Sequence, residues 1–335
     1  MISERITFID TIPERKSEVQ NFIAEWYSTS DVIQANTSGS TGLAKTISLE
    51  KSKMIISAKK TLSFLGLKKG DTALLCLSIS TIAGKMMLVR AIVGELNLVI
   101  GPIDSNPLQQ IRQRIDFVAM VPLQFQNSIE NNSEKLKAIK AIIVGGGPIS
   151  SKMENQAITS NVKAFQTYGM TETISHVALR EIGNKKDLRY HALEGISFSE
   201  QNEQLIINYP EIGIVDLHTT DLVTLSNSTS FEWIGRADFI INVGGIKLNP
   251  EEIEKVLADY ISVPFIISSI KDDKLGEIII LLIEGNDCVV LDEIALQEKL
   301  TKFAIPKSTY NIPVFSRTLS GKINRIETLK LLHII

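Results

Sequence analysis

The length and composition of the chain are those of an ordinary folded protein. Its 335 residues are 44% hydrophobic and 22% charged, with a formal net charge of −3 at pH 7, which allows two domains and a well-buried core. The small negative charge excludes a strongly basic protein that binds nucleic acid or an anionic membrane. Since no apolar run reaches the ~20 residues of a membrane-spanning helix, we expect no membrane insertion.

The two cysteines indicate the compartment. Cys76 and Cys288 lie far apart, and neither belongs to a C-x-x-C pair, so the sequence indicates neither a zinc site nor a disulfide framework. This usage favours a reducing, cytoplasmic setting. The first residues, MISERITFID, are charged within four positions and lack a long apolar core, so we expect no signal peptide.

From about residue 70, short apolar strands alternate with helix-like segments. The predicted strands are 71–78, 96–101, 117–121, 140–147 and 162–168, and the predicted helices are 83–94, 107–115 and 150–158. This alternation predicts an α/β fold with a mostly parallel sheet covered on both faces. Ligands of such sheets bind beyond the carboxyl ends of the strands, where two glycine-containing segments stand, VGGGP (144–148) and TYGMTET (167–173).

After about residue 195 the pattern changes to short strands separated by turns. These predicted strands are 203–209, 213–218, 221–225 and 231–235, and they indicate a small antiparallel or barrel-like part. A helix is then predicted over 249–260, with Asn249 as its N-cap and Pro250 at its first position. The last part of the chain therefore reads as a small α+β domain.

The segment TSGSTGLAK, residues 37–45, nearly matches the Walker A phosphate loop. Ala44, however, stands where that loop has its second glycine, before the lysine. Taken alone, such a run is as often an ordinary loop as a phosphate cradle. Three further segments have ordinary interpretations when taken one by one. TYGMTET is usually a turn after a strand, GRADFIINVGG (235–245) a surface turn with a salt bridge, and SGKINR (320–325) a solvated hairpin tip.

Together and in this order, the four segments resemble the motifs of the adenylate-forming superfamily, which includes acyl-CoA synthetases and peptide-synthetase adenylation domains. Residues 37–45 match [ST]-S-G-[ST]-T-G-x-P-K except at Ala44, which replaces proline. Residues 168–172 match Y-G-x-T-E, residues 235–238 match G-R-x-D, and residues 321–325 match G-K-x-x-R. The resemblance implies a large N-terminal domain, residues 1–236, and a small mobile C-terminal domain, residues 237–335.

The resemblance also implies the reaction. A carboxylic acid attacks the α-phosphate of ATP and forms an acyl-adenylate, and the CoA thiol then displaces AMP. ATP, Mg²⁺ and CoA are the implied cofactors and co-substrates. Because carboxyl groups have pKa values near 4, the nucleophile is ionised at pH 7 and needs no general base. Catalysis is then positioning and charge neutralisation.

Roles for individual residues follow from the motif matches. The predicted ATP-binding residues are Thr37, Ser38, Gly39, Ser40, Thr41, Gly42, Lys45, Gly145, Gly146, Gly147, Tyr168, Gly169, Asp221 and Arg236. Backbone and hydroxyl groups of the first loop would hold the β/γ-phosphates. Tyr168 would stack on adenine, Asp221 would accept the ribose hydroxyls, and Thr171 would contact a phosphate. Glu172 would hold Mg²⁺, which prefers oxygen ligands.

The C-terminal segments contain the residues that the resemblance assigns to the hinge and the mobile domain. Lys322 is the predicted catalytic residue of the first half-reaction, where it would bridge the carboxylate and the α-phosphate. Asp238 matches the hinge position. In the second half-reaction, Gly244 and Gly245 would pass the pantetheine arm of CoA to the adenylate.

The acid pocket is the least constrained part. Thr81 stands about where the superfamily has a histidine, shortly before Gly84, and Arg90 follows in an otherwise apolar helix. Arg90 is either a snorkelling surface residue or a clamp for a second carboxylate of the acid. The segments GKMMLVRA, YGMTETISHVALR and LEGISF resemble short o-succinylbenzoate–CoA ligases of menaquinone biosynthesis, whose aromatic acid carries two carboxylates. Ser175, His176 and Arg180 would then lie near the acid pocket, although His176 is equally an ordinary strand residue.

Several departures leave alternatives open. The phosphate loop begins at residue 37, much earlier than is usual in the superfamily, and Thr220 replaces the glycine of the usual T-G-D. The alternatives are an adenylation enzyme that loads another acid onto CoA or a carrier protein, and a non-catalytic ATP-binding regulator. The resemblance also allows a homodimer.

Overall fold

The computed structural model describes residues 2–9, 12–36, 46–287, 289, 291, 296–318 and 323–332. Its helices are α1 (Pro13–Trp26), α2 (Lys51–Phe64), α3 (Ile82–Val93), α4 (Pro122–Lys137), α5 (Ser151–Thr159), α6 (Pro250–Leu257) and α7 (Arg325–Lys330). Its strands are β1 (Ile6–Phe8), β2 (Val32–Asn36), β3 (Thr46–Glu50), β4 (Thr72–Leu75), β5 (Asn97–Ile100), β6 (Phe117–Met120), β7 (Ala141–Val144), β8 (Phe165–Gly169), β9 (His176–Glu181), β10 (Tyr190–Ala192), β11 (Ser197–Gln201), β12 (Gln204–Tyr209), β13 (Ile214–Asn227), β14 (Ser230–Arg236), β15 (Ile241–Val243), β16 (Ile246–Leu248), β17 (Phe265–Asp272), β18 (Gly276–Glu284) and β19 (Ser308–Ile312).

Twelve of the described strands form one large sheet. Its order is β1-β5-β4-β6-β7-β8-β9-β10-β14-β13-β12-β11. The pairs from β1 to β8 are parallel, and those from β8 to β11 are antiparallel. The predicted α/β fold class is confirmed. The antiparallel part continues the hydrogen-bond ladder of the parallel part, and the predicted strands 213–218 and 221–225 are one strand, β13.

Helices cover both faces of the parallel part. Leu75 of β4 belongs to a core with α1, α2 and α3, whereas its neighbour Leu74 belongs to a core with α4 and α5. Successive strand residues point to opposite faces, so the apolar runs of these strands bury residues on both sides. This explains why they lack a polar alternation.

The predicted helix over 107–115 is wrong. Leu108, Ile111 and Ile115 are buried at a helix-like spacing, but the segment runs as a series of turns. Lys135 of α4 donates to the carbonyl oxygens of Leu108, Gln109 and Ile111 at 2.8, 3.2 and 2.9 Å. A side chain 24 to 27 residues away thus satisfies carbonyls that a helix would satisfy internally.

A second sheet begins after β14. Its order is β16-β15-β18-β17, with β19 parallel to β18. Helix α6 begins as predicted: the Asn249 side chain accepts from the Glu251 amide at 2.9 Å, and Pro250 is the first helical residue. Asn249 also donates to the Ile234 carbonyl of β14 at 3.3 Å. In the described residues, no helix is long and apolar enough to cross a membrane.

Candidate active site

The predicted phosphate-loop segment is flanked in sequence by two paired strands. Strands β2 and β3 are antiparallel, with Asn36 paired to Thr46, and the Thr46 hydroxyl donates to Asn36 Oδ1 at 2.9 Å. The Lys85 ammonium of α3 donates to the Gln34 carbonyl of β2. The predicted phosphate ligands lie between these strands, outside the described residues: Thr37, Ser38, Gly39, Ser40, Thr41, Gly42 and Lys45. Their roles remain predictions.

The glycines after β7 pack against the neighbouring strand. A Cβ at Gly145 would lie 2.4 Å from the Thr167 hydroxyl, and Gly146 has a φ of 88°, a conformation that other residues rarely adopt. The Gly147 carbonyl accepts from Gln166 Nε2 at 3.3 Å. Glycine is therefore favoured at 145 by the approach of Thr167 on β8 and at 146 by the backbone conformation, at the carboxyl edge of the parallel strands.

Tyr168 and Asp221 meet at this edge. The Tyr168 hydroxyl donates to Asp221 Oδ2 at 2.6 Å, and Trp233 Nε1 donates to Asp221 Oδ1 at 3.1 Å. Asp221 is 8% exposed, and its own amide donates to the Thr219 hydroxyl at 3.2 Å. Burial, followed by the Asp221 charge, raises the pKa of Tyr168 well above its usual value. Both carboxylate oxygens thus have one protein donor and retain further acceptor capacity.

The turn between β8 and β9 presents the predicted magnesium ligand. Thr171 is buried and Glu172 is exposed at the tip. The Thr173 hydroxyl joins the two sides of the turn, since it accepts from the Met170 amide at 3.0 Å and donates to the Ser175 carbonyl at 2.7 Å. A Cβ at Gly169 would lie 2.4 Å from that Ser175 carbonyl, so glycine is required for the hairpin to close.

Arg90 is buried, and its interpretation as a snorkelling surface residue is wrong. Its side chain, on the buried face of α3, is 2% exposed. Nη2 donates to the Ser175 hydroxyl at 2.6 Å, while Nη1 is 4.0 Å from the Met87 sulfur. Burial lowers the pKa of Arg90 to about 9, which leaves it charged at pH 7. No carboxylate of the described residues pairs with it.

His176 extends the contacts of Arg90 into the core. Its Nδ1 lies 3.4 Å from the Ser175 hydroxyl, and its Nε2 lies 3.1 Å from the Thr61 hydroxyl of α2. Burial and the Arg90 charge lower the pKa of His176 well below its usual 6.5. The side chain is therefore neutral at pH 7, and it is a bonded core residue at the start of β9.

Thr81 and Gly84 shape the beginning of α3. Thr81 is the N-cap residue, whose hydroxyl accepts from the Gly84 amide at 3.3 Å and donates to the Ser78 carbonyl at 2.7 Å. A Cβ at Gly84 would lie 2.1 Å from the Ser78 carbonyl oxygen. The start of α3 thus explains the choice of threonine at 81 and of glycine at 84. A substrate contact for either residue remains a prediction.

The predicted hinge lies between the two sheets. Asp238 accepts from Arg236 Nη2 at 2.6 Å and from the Thr220 hydroxyl at 2.9 Å. Gly244 and Gly245, with φ of 60° and 87°, form the two-residue turn between β15 and β16, as a type I′ hairpin requires. Arg325 donates to the Glu254 carboxylate and to the Ile267 carbonyl, so it stabilises the second unit internally. Lys322 lies outside the described residues.

Sequence reasoning missed two residues that contact this site. Trp233 binds Asp221, and Thr61 binds His176. A tryptophan on a strand next to a motif aspartate is a weak sequence signal for such a contact. No sequence signal marks Thr61. Among the described residues, no three His, Cys, Asp or Glu side chains cluster as a metal site. A single exposed Glu172 fits Mg²⁺, which is commonly held by one or two carboxylates together with substrate phosphates.

Comparison with known proteins identifies the family. A sequence model described as AMP-binding enzyme matches residues 28–202, just over half of the chain. The chain belongs to this family, and the predicted resemblance is confirmed.

Several individual proteins and solved structures are similar to this chain. The chain is similar to the 2-succinylbenzoate–CoA ligases of Escherichia coli K12 (25% identical, spanning 90% of this chain and 69% of that protein) and Listeria monocytogenes (24%, 86% and 68%). A Dyadobacter fermentans structure, described as an acyl-CoA synthetase (AMP-forming)/AMP-acid ligase II-like protein, is 31% identical over 96% of this chain and 95% of its own, with a TM-score of 0.63. The Bacillus subtilis o-succinylbenzoate CoA synthetase, solved with ATP and magnesium, shares the fold at 20% identity over 88% and 69% of the two chains, with a TM-score of 0.76.

Proposed function

We propose that the chain is an ATP-dependent acid–CoA ligase whose acid is o-succinylbenzoate. Family membership and the names of several relatives support the reaction class. The observation that carries the choice of acid is Arg90, a buried cation that no carboxylate of the described residues neutralises. Burying a charge is costly unless it is paired, so a second carboxylate on the substrate supplies the missing partner.

The nucleotide end of the site is built around Asp221. Its two oxygens already accept from Tyr168 and Trp233, and their remaining lone pairs suit the ribose hydroxyls. Glu172 would hold Mg²⁺ at the exposed turn, and the metal would neutralise phosphate charge when bound. Thr171 in the same turn and the glycines after β7 would border the phosphates and the adenine.

The acid end lies on the other side of the same hairpin. The β8–β9 hairpin brings Tyr168 to Asp221 and Ser175 to Arg90, and Glu172 at its tip would face the nucleotide. One carboxylate of the acid would bind the Arg90 fork, which suits the planar geometry of a carboxylate. The other carboxylate, already ionised at pH 7, would be directed at the α-phosphate.

The remaining roles belong to residues 237–335, which we propose as a separate mobile domain following residues 1–236. The large sheet ends with β14 at Arg236, and the second sheet begins with β15 at Ile241, which supports a boundary there. Asp238 would be the hinge and Lys322 the cation that stabilises the developing charge on the α-phosphate. The turn at Gly244 and Gly245 would then admit the CoA arm. A cytoplasmic setting and a homodimer remain predictions.

The test is pyrophosphate release with a panel of acids. Purified protein, ATP and Mg²⁺ are combined with o-succinylbenzoate, with its two monomethyl esters and with simple aromatic and aliphatic acids. We expect rapid release only with the free diacid, and we expect Arg90→Met to abolish that preference. Release with another acid alone would overturn the substrate assignment. Release that requires a carrier protein instead of CoA for turnover would overturn the assignment of the thiol acceptor.

A further inference from the structure

A continuous line of hydrogen bonds runs from Arg90 into the core. Arg90 contacts Ser175, Ser175 contacts His176, and His176 contacts Thr61. The Thr61 hydroxyl then donates to the Ser57 carbonyl, one turn earlier in α2, at 3.2 Å. The line therefore joins the arginine of α3 to the backbone of α2 through the first residues of β9.

One tautomer of the neutral His176 ring satisfies every contact in this line. An arginine only donates, so Ser175 accepts from Arg90 and can direct its own proton to His176 Nδ1. The ring then carries its proton on Nε2 and donates to Thr61, whose hydroxyl proton is directed to Ser57. With the other tautomer, Nε2 would need the Thr61 proton, and the Ser57 carbonyl would lose it.

Burial makes the line costly to break. Arg90 is 2% exposed, His176 6% and Thr61 0%, and Ser175 is half-buried, so water does not compete for the first three groups. A buried donor without an acceptor costs about 1–3 kcal/mol. Thr61 also lies a histidine and a serine away from the arginine, so its hydroxyl is removed from any acid held by Arg90.

We propose that Thr61 is a positioning residue that, through His176 and Ser175, fixes the Arg90 guanidinium for the second carboxylate of the acid. The inference deepens the proposed function and rests on it. With Ser175 committed to His176, the serine hydroxyl cannot turn toward the substrate carboxylate or release the Arg90 fork. Thr61 thereby contributes to the preference for a diacid over a monoacid.

The experiment compares Thr61→Val with Thr61→Ser in the full chain. Valine keeps the shape of threonine and removes the hydroxyl, whereas serine keeps the hydroxyl. We expect Thr61→Val to raise the KM for o-succinylbenzoate about tenfold, the effect of one lost hydrogen bond, with the KM for ATP unchanged. We expect Thr61→Ser to restore the wild-type KM. For a slow monomethyl ester substrate, which lacks the anchored carboxylate, Thr61→Val should raise the KM less than about twofold.

Two controls separate positioning from general damage. Thr328→Val removes another fully buried threonine hydroxyl, one that accepts from the Ser316 amide at 3.2 Å, and it should leave the KM for the acid unchanged. If Thr61→Val does not fold, His176→Phe breaks the same line and gives the same comparison.

The two possible failures are distinguishable. Equal KM values for the diacid in the wild type and in Thr61→Val, or equal losses for diacid and monoester, would overturn the positioning role while the ligase activity stands. A wild type that adenylates another acid but not o-succinylbenzoate would overturn the proposed function itself.

Discussion

Tyr168 and Asp221, 53 residues apart in sequence, share a hydrogen bond of 2.6 Å at the carboxyl edge of the large sheet. The bond joins the Y-G-x-T-E segment to the aspartate of β13. Tyr168 also packs edge-on against Phe231, with ring centroids 5.0 Å apart. The predicted adenine-stacking ring is thus oriented by the predicted ribose acceptor.

Substitution of Tyr168 separates the contribution of its hydrogen bond to Asp221 from that of its aromatic ring. Tyr168→Phe keeps the ring, so we expect the KM for ATP to change less than about threefold, while loss of the hydrogen bond to buried Asp221 lowers the free energy of unfolding by about 1–3 kcal/mol. Tyr168→Ala also removes the stacking surface and should raise the KM for ATP more than tenfold, about 1.4 kcal/mol. Steady-state kinetics and urea denaturation measure both. Equal KM values in the two variants would contradict stacking.

Two of the buried arginines, Arg90 and Arg180, should respond oppositely to removal. Arg180 is 8% exposed and donates to the Glu154 carboxylate at 2.8 Å and to Gln166 at 2.6 Å. Arg180→Met leaves the half-buried Glu154 carboxylate unpaired, so we expect a loss in the free energy of unfolding at or just below the about 3–5 kcal/mol of a fully buried pair. Arg90→Met removes a cation without a carboxylate partner, and we expect a change of less than about 1 kcal/mol or a gain.

The same pair of variants links stability to function. Arg90→Met should lose kcat/KM for o-succinylbenzoate although it stays folded. A large loss of stability in Arg90→Met, comparable to that in Arg180→Met, would show that Arg90 is satisfied within the protein and is not reserved for a ligand. Thermal and urea unfolding of the ligand-free proteins decide between these outcomes.

His176 predicts a pH dependence of stability. Its pKa is lowered in the folded protein by burial and by Arg90, so the unfolded chain binds a proton near pH 6.5 that the folded chain does not. Stability is therefore full above pH 6.5 and falls as the pH falls. Between pH 7.5 and 5.5 we expect the wild type to lose about 1.4 kcal/mol more than His176→Gln.

An exposed histidine gives the matched control for this effect. His218 lies exposed on β13, and His218→Gln should lose as much stability as the wild type over the same pH interval. If His176→Gln and the wild type have parallel stability curves, His176 accepts its proton in the folded state and the described hydrogen-bond directions are wrong.

Lys322 should act in one half-reaction only. Lys322→Ala should lower acyl-adenylate formation by at least a hundredfold, because it removes the charge expected to stabilise the α-phosphate in the transition state. It should spare the attack of CoA on preformed adenylate. Lys330→Ala, which loses an exposed lysine paired with Glu327 in α7, is the control. Equal losses in both half-reactions would contradict the assigned role.

The periodicity of the sequence predicted the parallel strands and the N-cap of α6 because both depend on local patterns. Apolar runs of four to eight residues indicate buried strands, and Asn249 followed by Pro250 indicates a helix start. The helix predicted over 107–115 is wrong because Lys135 donates hydrogen bonds to the carbonyls of this segment. Lys135 is too distant in sequence for a local pattern to include it. Tertiary contacts of this kind override local propensity.

The site residues that belong to motifs could be predicted from the sequence. Those positioned by contacts between distant parts of the chain could not. Asp221 and Tyr168 were named from their motifs, and the structure brings them together. For Arg90, the sequence could not decide between the surface and the core, because burial depends on how α3 packs against α2. Thr61 could not be predicted, since its contact with His176 spans 115 residues.

Detection of the product decides whether the protein is an o-succinylbenzoate–CoA ligase. Purified protein is incubated with ATP, Mg²⁺, CoA and o-succinylbenzoate, and AMP and CoA thioester are quantified by chromatography and mass spectrometry. We expect one o-succinylbenzoyl-CoA for each AMP, with no thioester when either the acid or CoA is omitted. ATP binding by calorimetry without AMP or thioester from this or any other acid would contradict it and would indicate a nucleotide-binding protein that is not a ligase.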